Sequence, residues 1–209
     1  MREALLPASN GMDIFSHGLW AGAAAKAVNK KRESKLKVWR AIAWGMFPDL
    51  FAFTPAFIGL FWLLATGQMS LADLPGRHGA GEPATGNSLP AFQLASHLYN
   101  FSHSIFVFAI VFCIVWFVRS RLARRVNGDL PSRSLGEGGP VWEMGGWLLH
   151  IIMDIPTHSY AFFPTPVFWP LFGWKFNGFS WATPWFLILD YGLLFLVYWL
   201  LREKKIKQV

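Results

Sequence analysis

Long apolar stretches separated by short polar ones dominate this chain. Residues 41–65, AIAWGMFPDLFAFTPAFIGLFWLLA, exceed the roughly 20 residues needed to cross a bilayer, yet hold two prolines and an aspartate. Residues 101–118, FSHSIFVFAIVFCIVWFV, make the cleanest spanning pattern; 141–158 begins near Glu143, and 181–201 runs into a basic tail. The stretch 12–28, whose apolar part GLWAGAAAKAV is rich in Ala and Gly, predicts either a further span or a short helix packed inside a bundle. Together these elements predict an all-α, polytopic membrane helix bundle with about four to five transmembrane helices, folded as one domain over 1–209.

Composition supports this class. The chain is 54% hydrophobic and only 15% charged, too apolar for an ordinary soluble domain. The net charge of +7 would suit a nucleic-acid partner if it formed one surface, but it falls in three clusters, Lys26 to Arg40, Arg119 to Arg125 and Arg202 to Lys207. Each cluster flanks an apolar segment, the asymmetry of the positive-inside rule. No nucleic acid is therefore expected; the expected partners are membrane lipids and a small or lipid-linked substrate. The same rule puts the C-terminus and loop 120–140 in the cytoplasm and the Gly/Pro-rich loop 66–100 outside. Residues 159–180 are aromatic and proline-rich, like an interfacial lid or belt. The first residues do not make a secretory signal. The lone Cys113 excludes an intramolecular disulfide and a cysteine-based metal site.

The informative residues are the polar ones inside the apolar segments. In LLHIIMDIPTHS, residues 148–159, His150, Asp154 and His158 are spaced four apart and lie near one face of a helix. Asp49 and His150 fall at similar depth, roughly 13 Å into their segments at about 1.5 Å per residue. With His17 and His103 they form a set that could converge between the bilayer midplane and the outer surface. Ionisable groups in hydrocarbon are costly and usually functional. Imidazole and carboxylate are ligands for zinc, manganese or iron, and a divalent cation activates water without Ser or Cys. More ligands than one ion needs would suit two ions sharing a bridging carboxylate.

Each residue also has a structural reading. Asp13 could cap the first helix beside an interfacial His17, and Asp49 could cap a helix after a Pro48 kink. Ser102 or Ser104 could cap helix 105–118 with His103 at a wet interface. Pro156 could bend the chain before His158. Asp190 could bond a neighbouring Trp or Tyr, or support a ligand histidine. His78 falls in a loop, as a bystander.

MDIFSHGLWAG, WGMFPDL, FSHS and LLHIIMDIPTHS, in this order, resemble the bacterial membrane-bound metal-dependent hydrolases of the LexA-regulated, YdjM-like type. The resemblance runs from Met12 onward, which makes 1–11 an N-terminal extension. It implies a protein of the bacterial inner (cytoplasmic) membrane with metal ligands from His17, Asp49, His103, His150 and Asp154. Members often show His-Arg-Gly before the Ser-His-Ser and further Asp after the Pro-Asp. Here the stretches read HLYNFSHS and FPDLFAF, so the pattern assigns neither His97 nor a second metal site. The family is distantly similar to the helical zinc phospholipase C and P1 nuclease group, which implies phosphoester chemistry.

The leading expectation is a metal-dependent membrane hydrolase acting on a phosphoester or lipid-linked substrate. Its metal ligands would come from His17, Asp49, His103, His150, Asp154 and His158. Asp49, His103 and Asp154 would do the catalytic work, with Asp49 a candidate general base. Zinc is the first choice of ion, manganese and iron the alternatives. Competing expectations are a transporter or proton/cation relay using the same cluster, and a non-catalytic membrane scaffold.

Overall fold

The computed structural model describes residues 13–70, 90–127, 139–160, 163–181 and 183–202. The order is α1 (Ile14–Asn29), α2 (Val38–Ala65), α3 (Pro90–Ser102), α4 (Ile105–Asn127), a 3-10 turn at Trp142–Met144, α5 (Gly145–Thr157) and α6 (Pro184–Leu201). The fold is all-helical, with no strand among the described residues. Helices α2, α6 and α4 as far as Arg125 are long and apolar enough to cross a membrane. Helices α1 and α5, with 16 and 13 residues, are shorter than the roughly 20 a span needs. The 141–158 segment is thus a 3-10 turn leading into a short internal helix. His78, the tips of both long loops, the N-terminal extension and most of the basic tail lie outside the described residues.

Small residues bring α1, α2 and α5 together. A Cβ on Gly146 would sit 2.4 Å from the carbonyl oxygen of Ala41 and 3.0 Å from the amide of Gly45, so only glycine permits this approach of α5 to α2. Gly45 in turn faces Ala21 and the backbone of His17 on α1. Close backbone contact through small residues is how membrane helices gain packing energy where the surroundings are already apolar.

Helix α3 covers another face of α2. It lies in the segment expected to be an outer loop, because Gln93, His97 and Asn100 keep its hydropathy low. Its buried positions Ala95, Tyr99 and Ser102 nevertheless recur at helical spacing. Ala95 and Tyr99 pack with Ala52, Phe53, Ala56 and Phe163 in one cluster. A second cluster joins Phe108 of α4 to Met144, Trp147 and Ile151 around α5.

The C-terminal end of α5 is closed by the aromatic segment. Pro156 does not break the helix, which continues to Thr157. The amides of Gly178, Phe179 and Trp181 donate to the carbonyls of His158, Pro156 and Thr157 at 2.8, 2.8 and 3.1 Å. These bonds satisfy acceptors left open at a helix end. A Cβ on Gly178 would collide with the Pro156 carbonyl at 2.2 Å, so the strap needs glycine there.

Candidate metal centre

Four side chains from three places meet in the interior. Asp49 comes from the middle of α2, His103 from the break between α3 and α4, and His150 and Asp154 from successive turns of α5. Their relative exposures are 3%, 0%, 1% and 0%, which removes them from bulk water. The Nε2 atoms of His103 and His150 are 3.0 Å apart. Asp154 Oδ2 lies 3.2 Å from the first and 3.3 Å from the second, and Asp49 Oδ1 lies 3.4 and 3.6 Å away.

The tautomers of both imidazoles follow from their other nitrogens. His150 Nδ1 is 2.7 Å from the carbonyl oxygen of Gly45, which can only accept, so Nδ1 carries the proton. His103 Nδ1 is 3.2 Å from the Tyr99 carbonyl and 2.9 Å from Ser102 Oγ, whose own proton goes to the Pro48 carbonyl at 3.1 Å. His103 Nδ1 therefore also donates. In their neutral forms both rings keep a lone pair on Nε2, and the two Nε2 atoms face each other between two carboxylates.

Four electron-rich atoms this close repel unless a positive charge sits among them. A regular tetrahedron with metal–ligand bonds of about 2.0–2.1 Å has edges of about 3.3–3.4 Å, and the five measured edges run from 3.0 to 3.6 Å. Backbone carbonyls that hold imidazole N–H groups are the usual outer support of a metal-ligating histidine. The donor set therefore fits a divalent cation held by Asp49, His103, His150 and Asp154.

A match over residues 12–208 to the YdjM inner membrane protein family decides the relationship. The chain belongs to this family. Among curated proteins and among solved structures, nothing matches. This YdjM-family chain is a membrane protein, in agreement with its three span-length helices.

His17 and His158 approach the same centre from its other side. Their Nε2 atoms lie 3.2 and 3.5 Å from Asp154 Oδ1, the oxygen that does not face His103 and His150. All six residues singled out in the sequence thus meet at one place, four in the tight cluster and two beside it. His97 is exposed on α3 and does not take part.

The fold resolves several of the structural readings. Asp13 does cap α1, its Oδ1 accepting from the Ser16 amide at 3.1 Å. Asp49 is not a cap, since α2 is continuous through Pro48 and Pro55. Ser104 Oγ accepts from the Val107 amide at 3.3 Å in the first turn of α4, while His103 is fully buried rather than at a wet interface. Asp190 accepts from Trp20 Nε1 at 2.7 Å and from the Ser16 hydroxyl, so it supports α1 and not a ligand histidine.

The sequence reading missed three supporting residues. The Tyr99 ring stacks on His103 at 3.7 Å between centroids, and its hydroxyl is 3.4 Å from Asp154 Oδ2. Trp147 Nε1 donates to the Ser102 carbonyl at 2.6 Å, fixing the peptide beside His103. Gly45 supplies the carbonyl that orients His150. Tyr99 lies one helical turn before His103, a spacing that becomes informative once α3 is known to be helical.

Proposed function

We propose that this chain is an inner-membrane metal-dependent hydrolase, with a divalent cation, zinc before manganese or iron, held by Asp49, His103, His150 and Asp154. The observation that carries the reading is the pair of imidazole Nε2 atoms 3.0 Å apart between two carboxylates, with a backbone carbonyl acceptor beside each Nδ1. When bound, such an ion lowers the pKa of water and polarises a carbonyl or phosphoryl oxygen.

The chain's own residues would do the rest. Asp49 belongs to the ligand cluster and also borders a small cavity, so its carboxylate would take a proton from a water in that cavity. Tyr99 would hold Asp154 through its hydroxyl, and Gly45 would hold His150. Trp44, Phe47 and Trp147, in mutual ring contact, would exclude water from the side of α5 away from the cavity. A buried centre in a membrane helix bundle suits a phosphoester or lipid-linked substrate, and the positions of the basic clusters support a cytoplasmic C-terminus.

The test is metal content of the detergent-purified chain beside His103→Ala and His150→Ala variants of matched folding, followed by phosphoester hydrolysis. Stoichiometric metal that both variants lose, together with hydrolysis by the wild type alone, supports the reading. A wild type that binds no metal overturns it. The same cluster would then hold a proton between its histidines, and cation or proton flux in liposomes would support the relay reading.

A further inference from the structure

We propose that a second divalent-cation position lies on the cavity side of Asp154, formed by His17, His158 and Asp154 Oδ1, and that this position is the one open to water and substrate. The proposal rests on the hydrolase reading above and divides its centre into a closed half and an open half.

The first argument is the way Asp154 is shared. Its Oδ2 faces His103 and His150 at 3.2 and 3.3 Å, and its Oδ1 faces His17 and His158 at 3.2 and 3.5 Å. Despite these approaches, Oδ1 is buried and accepts no hydrogen bond. A fully buried carboxylate oxygen without a donor is costly unless a positive charge compensates it. One carboxylate with two imidazoles on each of its oxygens has the form of a bridge between two cations.

The second argument is the wall of the adjoining cavity, about 30 Å³ in volume. Asp13, Asp49 and Asp190 line it together with His17 and His158, and among the described residues no Lys or Arg does. Asp13 Oδ2 is buried there without a hydrogen bond. Three carboxylates around a space that size attract a cation, and no side chain on the wall supplies one. The volume holds at least one water, which needs about 10–15 Å³.

The third argument is accessibility. The four inner side chains have exposures of 0–4%, His158 has 5% and His17 has 13%, so access comes from the His17 side. Four protein ligands close a tetrahedral site, and catalytic sites keep three plus an open position. His17, His158 and Asp154 Oδ1 are three donors, and the two histidines line the cavity. With no Lys or Arg on its wall, an anionic substrate group finds no other positive charge there.

The experiment uses the full chain in detergent, stripped with a chelator and reloaded with Mn²⁺, with ions per chain measured by elemental analysis and the spin system by EPR. The wild type is expected to hold two ions with an exchange-coupled signal. His17→Gln and His158→Gln, checked for an unchanged elution volume and thermal midpoint, are expected to hold one ion with an uncoupled signal. A wild type with one ion that is lost in His103→Ala overturns this proposal and leaves the hydrolase reading standing. A wild type with none overturns both. Two ions that persist, still coupled, in both Gln variants also overturn it, since the second ion then lies elsewhere.

Discussion

Helices α2 and α6 are both apolar enough to cross a membrane, but one in three residues of the α2 span is buried inside the protein against about one in nine for α6. The difference follows from what each helix faces. Helix α2 meets α1, α3 and α5 through Gly45, Ala52 and Ala56, which let backbones approach and leave room for Asp49 at the centre. Helix α6 turns Ile188 and Phe195 outward at 75% and 76% exposure, side chains whose natural surroundings are lipid. Equal hydropathy therefore hides two roles: building a polar interior, and shielding it. The short helices α1, α3 and α5 belong with α2, because a helix buried among others need not match the bilayer thickness.

Replacing His150 by Ala should produce the largest effect that breaks this contrast. It removes one side chain of the buried His/Asp cluster and its bond to the Gly45 carbonyl, so metal affinity is expected to fall about 100-fold or more, as measured by competition with a chromophoric chelator. Gly146→Ala should follow. Its new methyl meets the Ala41 backbone, and a loss of about 1–3 kcal/mol is expected in reversible unfolding, accompanied by weaker metal binding. The matching change in the shield, Gly192→Ala, has nothing within 4 Å of its Cβ and should leave stability unchanged or raise it by up to about 1 kcal/mol. If both glycine changes cost the same, the two helices do not differ in the way described.

Finer changes sharpen the comparison. Trp147→Phe keeps the ring contacts but removes the donor to the Ser102 carbonyl, and about 1 kcal/mol of stability with roughly 10-fold weaker metal binding is expected. Ile188→Ala on the lipid face should change metal binding not at all and stability by less than about 0.5 kcal/mol, by thermal melting in detergent.

The sequence disclosed the clustered His and Asp residues more readily than the scaffold that joins them. Ionisable residues stand out in apolar stretches, so Asp49, His103, His150 and Asp154 could be named from position alone. The identity of Asp154 as the residue facing both histidine pairs could not, because it depends on where α1 crosses α5, and that crossing is set by Gly45, Ala21 and Gly146. Small residues carry little signal in a hydropathy profile. Helix α3 was hidden for the opposite reason: its polar residues suggested a loop, although Ala95, Tyr99 and Ser102 already formed a helical stripe. Pro156 and Pro48 were read as interruptions, and neither interrupts its helix.

The hydrogen bond between His150 and the Gly45 carbonyl joins residues 105 positions apart in the chain. During synthesis at about 5–20 residues per second, Gly45 and the neighbouring Asp49 wait about 5–20 s before His150 exists. A helix α2 that inserts before His103 and His150 are made carries Asp49 into the bilayer without either histidine, at a cost of about 2.5–3.5 kcal/mol on insertion scales, offset by the apolar residues around it. Biogenesis of this protein is thus ordered. A spanning helix arrives carrying an unpaired acid, and the later helices, on reaching it, turn a liability of insertion into the lock that holds the bundle closed.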